Sequence, residues 1–284
     1  VIDHQEWLWE RAKGSELTDL EYAELYELEQ LMLDRKVSTS GRTLWLGNTT
    51  VSKTREASQF NCSFTNVETV YDLVDILWLL LQGCGVGFKP VVGTLNGFSK
   101  PLKDIKIIRS SRKTKGGLEY NEEFWYPETK TWIIKIGDSA EAWAKSIGKL
   151  IAGKYPADTL VLDFSELRPA GDRLKGYGWI SSGDAAIAKA YKAIAEILSG
   201  RADSLLSRID IMDIVNWMGT ILSSRRSAEI ALFEYGQPEW QEVALAKKDW
   251  WVHNNSQRTQ SNNSLLFKEK PTRLELEEIF GLMK

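Results

Sequence analysis

The stretch Thr159-Leu160-Val161-Leu162-Asp163-Phe164 decides the fold class of this chain. It is a short and almost continuous apolar run, which is typical of a strand buried on both faces. Stretches of helical periodicity precede it at 139–153 and follow it at about 185–199. Strands that alternate with helices in this way indicate an α/β fold, in which parallel pairing is the usual outcome of the connections.

The alternation continues on both sides of this stretch. A helix predicted near 210–223 leads into the strand-like run Ala228–Phe233, and a helical pattern from Leu274 to Met283 closes the chain. Upstream, the apolar run Tyr71–Leu81 is predicted to be a helix, and Thr43–Leu46 is predicted to begin an extended segment. The chain therefore carries several βα units.

The two ends of the chain differ in character. Residues 1–37 are predicted to form a helical segment, because apolar residues recur at three- and four-residue spacing after Thr18, a plausible helix cap. Residues 38–284 are predicted to form the main domain. The helical pattern that ends at Lys284 has neither a capping glycine nor a polar tail, so we expect a chain that is cut rather than finished.

An insertion is predicted within the main domain at about 97–136. Gly116-Gly117 reads as a turn between two apolar runs, Ile105–Ile108 and Thr131–Ile136. Two such runs separated by glycines indicate a hairpin. The basic residues of 100–115 lie in this insertion, and we expect a solvated loop there.

Composition excludes several classes of protein. The net charge of −3 argues against broad binding to duplex nucleic acid, which needs a basic face. The sequence has no apolar run of the roughly 20 residues that span a bilayer and opens with no signal segment, so a cytoplasmic location away from membranes is predicted. Two cysteines and two histidines do not make a disulfide framework or a zinc site, and no metal ligands are predicted.

The two cysteines stand in unusual surroundings. Cys62 lies in Phe60-Asn61-Cys62-Ser63-Phe64, and Cys84 lies in the glycine-rich Gly83-Cys84-Gly85-Val86-Gly87-Phe88. Glycines at this spacing let the main chain approach a ligand closely. Each cysteine is either a reactive thiol beside such a loop or a small buried apolar residue. From the residues alone the reactive interpretation is stronger for Cys62 than for Cys84.

Two polar loops are candidate anion sites. The loop 168–184 combines glycines, hydroxyls and the cations Arg168 and Lys175 just before a helix, and 223–229 carries Arg225 and Arg226 between a helix and a strand. Backbone amides at a helix N-terminus together with arginine and lysine bind phosphate well. A plain surface loop and a salt-bridged loop remain the respective alternatives.

Six motifs in a fixed order make the chain similar to a known family. It resembles the adenosylcobalamin-dependent (class II) ribonucleotide reductases, especially the monomeric ribonucleoside-triphosphate reductases, from about residue 20 to the end. The motifs are Ser40-Gly41-Arg42-Thr43-Leu44-Trp45, Asn61-Cys62, Gly83-Cys84-Gly85-Val86-Gly87-Phe88, Leu167-Arg168-Pro169-Ala170-Gly171, Arg225-Arg226-Ser227-Ala228-Glu229 and Ser261-Asn262-Asn263-Ser264.

The resemblance implies a fold and a chemistry. The family's catalytic domain is a ten-stranded α/β barrel, and this chain would form its first half behind the helical segment. In the family, cleavage of the cobalamin carbon–cobalt bond generates a thiyl radical that abstracts the ribose 3′-hydrogen. Two further cysteines then reduce the 2′ position and end as a disulfide. The Asn-Cys motif assigns the first of these reducing thiols to Cys62.

The resemblance also implies binding residues. Ser38, Ser40, Asn61 and Gly85 match positions that contact the ribonucleotide substrate. Positions that bind a deoxynucleoside triphosphate effector are matched by the following residues: Thr69, Arg168, Lys175, Arg225 and Arg226. The long connection between Phe88 and Leu167 favours the monomeric type, because dimeric relatives make that connection short.

Parts of the family's catalytic set are absent from this sequence. The Asn-Pro-Cys-Gly-Glu motif with the radical cysteine, the second reducing cysteine and the C-terminal cysteine tail do not occur. We therefore expect activity to need a C-terminal half or a second chain that binds most of the adenosylcobalamin, together with a thioredoxin-like or dithiol reductant. Two alternatives stay open: a non-catalytic nucleotide-binding fragment or subunit, and a redox protein that pairs Cys62 with Cys84.

Overall fold

The computed structural model describes residues 1–174, 176, 180–222 and 229–283, and only the backbone of Glu229 and Met283. The chain divides into two compact units, Val1–Asn61 and Cys62–Lys284. The boundary predicted at 37/38 differs from this division, because helical turns continue as far as Gln59.

The unit Val1–Asn61 is built from helices. They are α1 (Ile2–Lys13), α2 (Asp19–Leu33), α3 (Gly41–Leu46) and α4 (Thr50–Thr54), followed by a 3₁₀ turn at Glu56–Gln59. The cap predicted at Thr18 is confirmed, because its side chain accepts a hydrogen bond from the backbone N–H of Glu21. The Glu21 carboxylate accepts from the backbone N–H of Thr18 at 2.6 Å, which completes a capping box.

The prediction that Thr43–Leu46 begins an extended segment is wrong, because these residues belong to α3. The local reason is Ser40, whose side-chain oxygen accepts a hydrogen bond from the backbone N–H of Thr43 and so satisfies one of the free amides of a first helical turn. The helix also buries Arg42 and Leu46. Capping and burial together outweigh the strand propensity of the run.

The second unit is organised around a four-stranded sheet, as the α/β prediction requires. The order of its strands is β1-β2-β7-β8, and each neighbouring pair is parallel. Helices connect and follow these strands. The elements are β1 (Cys62–Val67), α5 (Val70–Leu81), β2 (Gly85–Pro90), α8 (Arg208–Gly219), β7 (Glu229–Glu234), α9 (Trp240–Leu245), β8 (Ser261–Leu266) and α10 (Arg273–Met283).

The two faces of this sheet have different surroundings. One face packs against the helices and is apolar, with Val67, Val86 and Phe88 fully buried and Phe233 2% exposed. The residues of the other face, which we call the open face, alternate along each strand with the residues that face the helices. Large side chains are exposed there: Phe64 is 54%, Ile230 45% and Leu266 40% accessible. Parallel sheets are normally covered on both faces, so the open face is a surface that a partner segment would cover.

A second four-stranded sheet is inserted between β2 and β7. Its strand order is β3-β6-β5-β4. The predicted strand at 159–164 is confirmed as β6, in the middle of this sheet. The elements are β3 (Asp104–Ile108), β4 (Glu122–Tyr126), β5 (Thr131–Lys135), α6 (Ala140–Ala152), β6 (Thr159–Asp163) and α7 (Gly183–Gly200).

The predicted hairpin at 97–136 is only partly right. The runs Ile105–Ile108 and Thr131–Ile136 do lie in strands, β3 and β5, but both pair in parallel with β6 rather than with each other. The antiparallel partner of β5 is β4. The physical reason is the apolar β6, which takes the central position between β3 and β5, and the turn of the hairpin is at 127–130 rather than at Gly116-Gly117.

Helix α6 packs on α5 and joins the inserted sheet to the main sheet. Their close approach depends on Gly148, since a β-carbon there would lie 2.6 Å from Cγ2 of Val74. Trp132, Phe164 and Tyr191 are at most 1% exposed in the shared core. Among the described residues, no helix combines the length and the apolar character that crossing a membrane requires.

Candidate functional site

Two predicted site residues lie side by side at the N-terminal edge of the main sheet. Cys62 opens β1, Gly85 opens β2, and the two are register partners. Glu229 and Ser261, the first residues of β7 and β8, are register partners in turn. Since the strands are parallel, all four N-terminal ends meet at one edge.

The thiol of Cys62 is exposed and belongs to the open face. Along β1 the residues Cys62, Phe64 and Asn66 are exposed, and they alternate with residues that face the helices. A redox-active thiol must be reachable by both substrate and reductant, and this exposure meets that requirement.

Cys84 has the opposite setting, in agreement with the weaker reactive interpretation of its sequence context. It is fully buried, and its Sγ lies 3.5 Å from Oγ of Ser63. Ser63 alternates with Cys62 along β1 and therefore projects to the helix-covered face. The two thiols lie on opposite sides of the sheet, which argues against the alternative that pairs them as a disulfide.

The glycine-rich stretch 83–88 forms a turn and then strand β2. Gly83 follows α5 with a φ of +75°, a conformation that glycine adopts readily. Gly87 serves the open face, because a β-carbon there would lie 2.6 Å from the ring of Phe64. The absence of a side chain at Gly87 therefore leaves room for the Phe64 ring beside β2.

A charged group lies at the C-terminal end of the same face and was not predicted from sequence. The carboxylate of Glu234 accepts hydrogen bonds from Nζ of Lys89 and, at 2.9 Å, pairs with Nζ of Lys268. The hydrogen bond from Lys89, which has the larger effect, and the one from Lys268 lower the pKa of Glu234 to about 2. Only the register of β2 against β7 brings Lys89 and Glu234 together, and no local sequence signal encodes that register.

The Ser261–Ser264 motif is divided between the two faces of β8. Ser261 Oγ contacts Oδ1 of Asn263 at 3.1 Å, and Nδ2 of Asn263 donates to the carbonyl of Val243 at 3.2 Å. These two side chains hold α9 on the sheet. Asn262 is exposed on the other side, as its alternation with Asn263 requires. The whole motif lies within strand β8.

Three predicted substrate residues belong to the helical unit. Ser40 is exposed and caps α3, and Ser38 is exposed and donates from its hydroxyl to the carbonyl of Thr39 at 3.1 Å. Asn61 is exposed and its Oδ1 accepts a hydrogen bond of 2.7 Å from Nε of Arg42. Arg42, which sequence reasoning quoted only as part of a motif, is therefore linked to a candidate binding residue.

Two predicted effector residues have structural partners. The hydroxyl and amide of Thr69 bond to the carboxylate of Asp72, which forms the capping box at the start of α5. The guanidinium of Arg168 bonds through Nε to both carboxylate oxygens of Asp138 at 3.0 Å. Asp138 is 4% exposed and also accepts from the backbone N–H of Gly116. The predicted effector residues Lys175, Arg225 and Arg226 lie outside the described residues.

Further ion pairs connect the loop 109–118 to the loop that carries Arg168. Arg112 donates to Glu166 at 2.6 Å, and Lys135 lies 3.4 Å from the same carboxylate. Burial alone would raise the pKa of Glu166, but the bonds from Arg112 and Leu118 lower it overall. Arg109 pairs with Asp184 and lowers the pKa of that carboxyl too. Much of the basic stretch 100–115 is thus neutralised by acids of the same unit.

The described residues do not form an enclosure for a corrinoid. In the part of the chain that the structure describes, a groove of about 490 Å³ is lined by the start of α5, residues 94–99 and the end of α6. This groove lies apart from the strand edge that holds Cys62. The sheet face beside Cys62 is open. Within the described ranges no group of three or more potential metal ligands occurs. These residues alone do not fit adenosylcobalamin.

Comparison with known proteins gives a family match in the inserted region. Residues 106–198 match the model described as the insertion domain of B12-dependent ribonucleotide reductases. The match begins within β3, continues through β4, β5, α6 and β6, and covers most of α7. It extends beyond the insertion of about 97–136 predicted from sequence.

The wider comparisons cover most of the chain. An adenosylcobalamin-dependent ribonucleoside-triphosphate reductase of Lactobacillus gasseri is 26% identical over 86% of this chain and 38% of its own length. Proteins of the same description from Euglena gracilis and Lacticaseibacillus paracasei are 26% and 30% identical, over 90% and 76% of this chain. A crystal structure of a B12-dependent (class II) ribonucleotide reductase superposes with a TM-score of 0.71 at 21% identity, over 93% of this chain and 41% of that one.

The fold is that of the class II ribonucleotide reductases, which confirms the predicted fold class. In sequence, the chain is similar to the N-terminal portion of adenosylcobalamin-dependent ribonucleoside-triphosphate reductases. The chain spans 38% of the length of the Lactobacillus gasseri relative and 33% of that of the Euglena gracilis relative.

Proposed function

We propose that this chain supplies one reducing thiol and part of the nucleotide-binding surface of a ribonucleotide reductase. In the overall reaction, a ribonucleotide and a dithiol give a deoxyribonucleotide, a disulfide and water. The 2′ carbon–oxygen bond breaks, two thiols provide two electrons and two protons, and the hydroxyl leaves as water. Cys62 is one of these thiols, and the second thiol and the radical cysteine come from outside this chain.

The observation that carries this proposal is the position of Cys62. Its thiol is exposed, lies at the N-terminal edge of a parallel sheet and has Gly85 as its strand partner. The open face beside it exposes Phe64, Ile230 and Leu266. An apolar sheet face of this kind suits a second half of a barrel that encloses the substrate and excludes water.

The partners of the reaction follow from the same proposal. Ser38, Ser40, Asn61 and Gly85 contact the ribonucleotide. A deoxynucleoside triphosphate effector is bound with the help of Thr69, Lys175, Arg225 and Arg226, and of Arg168 when it is released from Asp138. A dithiol or thioredoxin-like protein restores the thiols, which places the enzyme in the reducing cytoplasm. Adenosylcobalamin, which would supply the initiating radical chemistry, would be held mainly by residues outside this chain, in the C-terminal portion.

Reconstitution tests the proposal. The chain is combined with a polypeptide that supplies the remaining reductase sequence, adenosylcobalamin, ribonucleoside triphosphates and dithiothreitol. We expect deoxyribonucleotide formation that requires both polypeptides. Nucleotide binding without turnover under all combinations would instead support a non-catalytic nucleotide-binding role.

A further inference from the structure

Arg42 is held in one orientation inside the helical unit. It is 4% exposed, its Nε donates to Oδ1 of Asn61 at 2.7 Å, and its Nη1 donates to the carbonyl of Ser58 at 2.6 Å. The residue stands in the first turn of α3, which Ser40 caps. Two short bonds to separate acceptors fix the plane of the guanidinium relative to the segment 58–61.

The chemistry of this contact decides which way the Asn61 amide faces. A guanidinium has only N–H donors, so the group turned toward Arg42 must be the amide oxygen. The amide nitrogen Nδ2 is then directed away from Arg42, and Asn61 is an exposed residue. With the opposite flip, two donors would meet at 2.7 Å, which is strongly unfavourable.

A second observation concerns buried polar side-chain atoms close to Asn61 in the sequence. Ser58, whose carbonyl accepts the hydrogen bond from Arg42, is fully buried, and its hydroxyl has no hydrogen-bond partner among the described residues. Within the same described part of the chain, the side-chain amide atoms of Gln59 are also buried without a partner. Buried polar atoms are normally satisfied, so orphaned ones mark places where water or a polar ligand completes the bonding.

We propose that Arg42 is a positioning residue that fixes the Asn61 carboxamide so that Nδ2 presents two N–H donors to an oxygen of the ribonucleotide substrate. This inference rests on the proposed function, since it deepens the role of Asn61 there. A donor-only group selects acceptors, and the ribose hydroxyls and the phosphates of a ribonucleotide supply them. Arg42 itself does not touch the substrate.

The decisive variant is Asn61→Asp. An aspartate keeps an acceptor for Arg42, and the bond becomes charge-assisted, so the thermal midpoint should stay equal or rise. The variant removes both N–H donors, so KM for ribonucleotide should rise by about tenfold, the scale of one lost hydrogen bond with an unpaired acceptor. A purely structural Asn61 would leave KM unchanged in Asn61→Asp.

Single and double variants test whether Arg42 acts through Asn61. In the reconstituted enzyme, Arg42→Met and Asn61→Ala should each raise KM by about tenfold, and the double variant should raise it no further, because both remove one arrangement. Arg42→Lys should restore little, since a lysine cannot reproduce the two-directional fork. The matched control is Arg258→Met, which removes another largely buried arginine that bonds to a side chain, Asp213, and to a backbone carbonyl, that of Ala246.

A readout that does not need turnover separates this inference from the proposed function. In protein with ¹⁵N-labelled asparagine side chains, the Nδ2 resonances of Asn61 are assigned by their loss in Asn61→Asp. Adding ATP, CTP, GTP or UTP should shift them in the wild type and not in Arg42→Met, whereas Arg258→Met should behave as the wild type. Shifts without reductase activity overturn the proposed function alone. Absence of shifts with every nucleotide, or identical shifts in Arg42→Met, overturns the role of Arg42.

Discussion

Cys62 and Cys84 lie on opposite sides of the same parallel sheet. Cys62 is exposed on the open face, whereas the thiol of Cys84 is buried against Ser63 on the helix-covered face. Their positions separate the chemistry expected of each thiol, in agreement with the stronger reactive interpretation of the sequence around Cys62. The first two predictions follow from this separation.

Replacement of Cys62 should stop turnover without unfolding the protein. In the reconstituted enzyme, Cys62→Ser is expected to lower multiple-turnover deoxyribonucleotide formation by at least about a hundredfold, because one of the two reducing thiols is lost. The exposed position makes a change in the thermal midpoint small. A turnover assay with excess dithiothreitol and a melting curve measure the two effects. Full turnover in Cys62→Ser would refute the assignment.

Replacement of Cys84 should have the reverse effect. Cys84→Ala removes a buried sulfur and leaves a small cavity, so a loss of about 1 kcal/mol in the free energy of unfolding is expected. Activity should remain near that of the wild type. Mass spectrometry of the oxidised chain should find no bond between Cys62 and Cys84, and such a bond would contradict the arrangement of the two faces.

Arg168 is predicted to stabilise the fold through Asp138. The side chains of Asp138 and Arg168 are 5% and 13% exposed, and among the described residues Arg168→Ala would leave the buried carboxylate with the backbone donor of Gly116. We expect a loss of about 3–5 kcal/mol in the free energy of unfolding, measured by urea denaturation. The double variant Asp138→Asn/Arg168→Met should recover part of that loss. Equal stability of Arg168→Ala and the wild type would contradict this role.

The same contact bears on effector binding. If Arg168 leaves Asp138 to bind an effector phosphate, Asp138→Asn should strengthen deoxynucleotide binding in the reconstituted enzyme, because it removes the competing charge. Weaker effector binding in Asp138→Asn, measured by equilibrium dialysis, would mean that the ion pair positions the loop rather than competing with the effector.

The sequence was sufficient to predict most helices and the α/β class. The cap at Thr18 and the central strand at 159–164 are local features, and local chemistry encodes them. Pairing was harder to predict: whether Ile105–Ile108 joins Thr131–Ile136 or β6 depends on contacts between segments distant in sequence. The same limit applies to Lys89 and Glu234, which meet only through strand register.

The candidate site was predicted unevenly for a related reason. The Asn-Cys motif pointed to Cys62, but the partner of Asn61 is Arg42, 19 residues earlier in the chain. The role of Asp138 had no sequence signal, because a single aspartate before a helix reads as a cap or a surface residue. Ser40 shows the opposite case, since its local capping of α3 could have been read from Ser40 and Thr43 alone.

The carboxyl of Glu234 should make stability depend on pH in acid. Its folded-state pKa of about 2 lies below the ordinary value of 4.5, chiefly because Lys89 and then Lys268 bond to the charged form. The stabilisation is therefore complete above about pH 4.5 and is lost as the pH falls toward 2. Glu234→Gln should flatten the decline of the thermal midpoint between these values, whereas Glu269→Gln, at an exposed site, should not. Identical pH profiles for Glu234→Gln and the wild type would contradict the ion pair.

The chain alone should not reduce ribonucleotides. It has two cysteines, of which Cys84 is buried, so an exposed thiol to complete a reducing pair with Cys62 is lacking.

The open face, with Phe64, Ile230 and Leu266 exposed, favours association with other chains. We therefore expect concentration-dependent association of the 284-residue chain in analytical ultracentrifugation, and a higher and more cooperative melting transition after mixing with the remaining reductase sequence. Phe64→Asp should reduce self-association and should also weaken association with the remaining reductase sequence, because both kinds of association use the open face. Deoxyribonucleotide formation by the isolated chain, with adenosylcobalamin and dithiothreitol supplied, would mean that its own thiols complete the chemistry and would overturn the assignment of Cys62 as one member of a pair shared with a second segment.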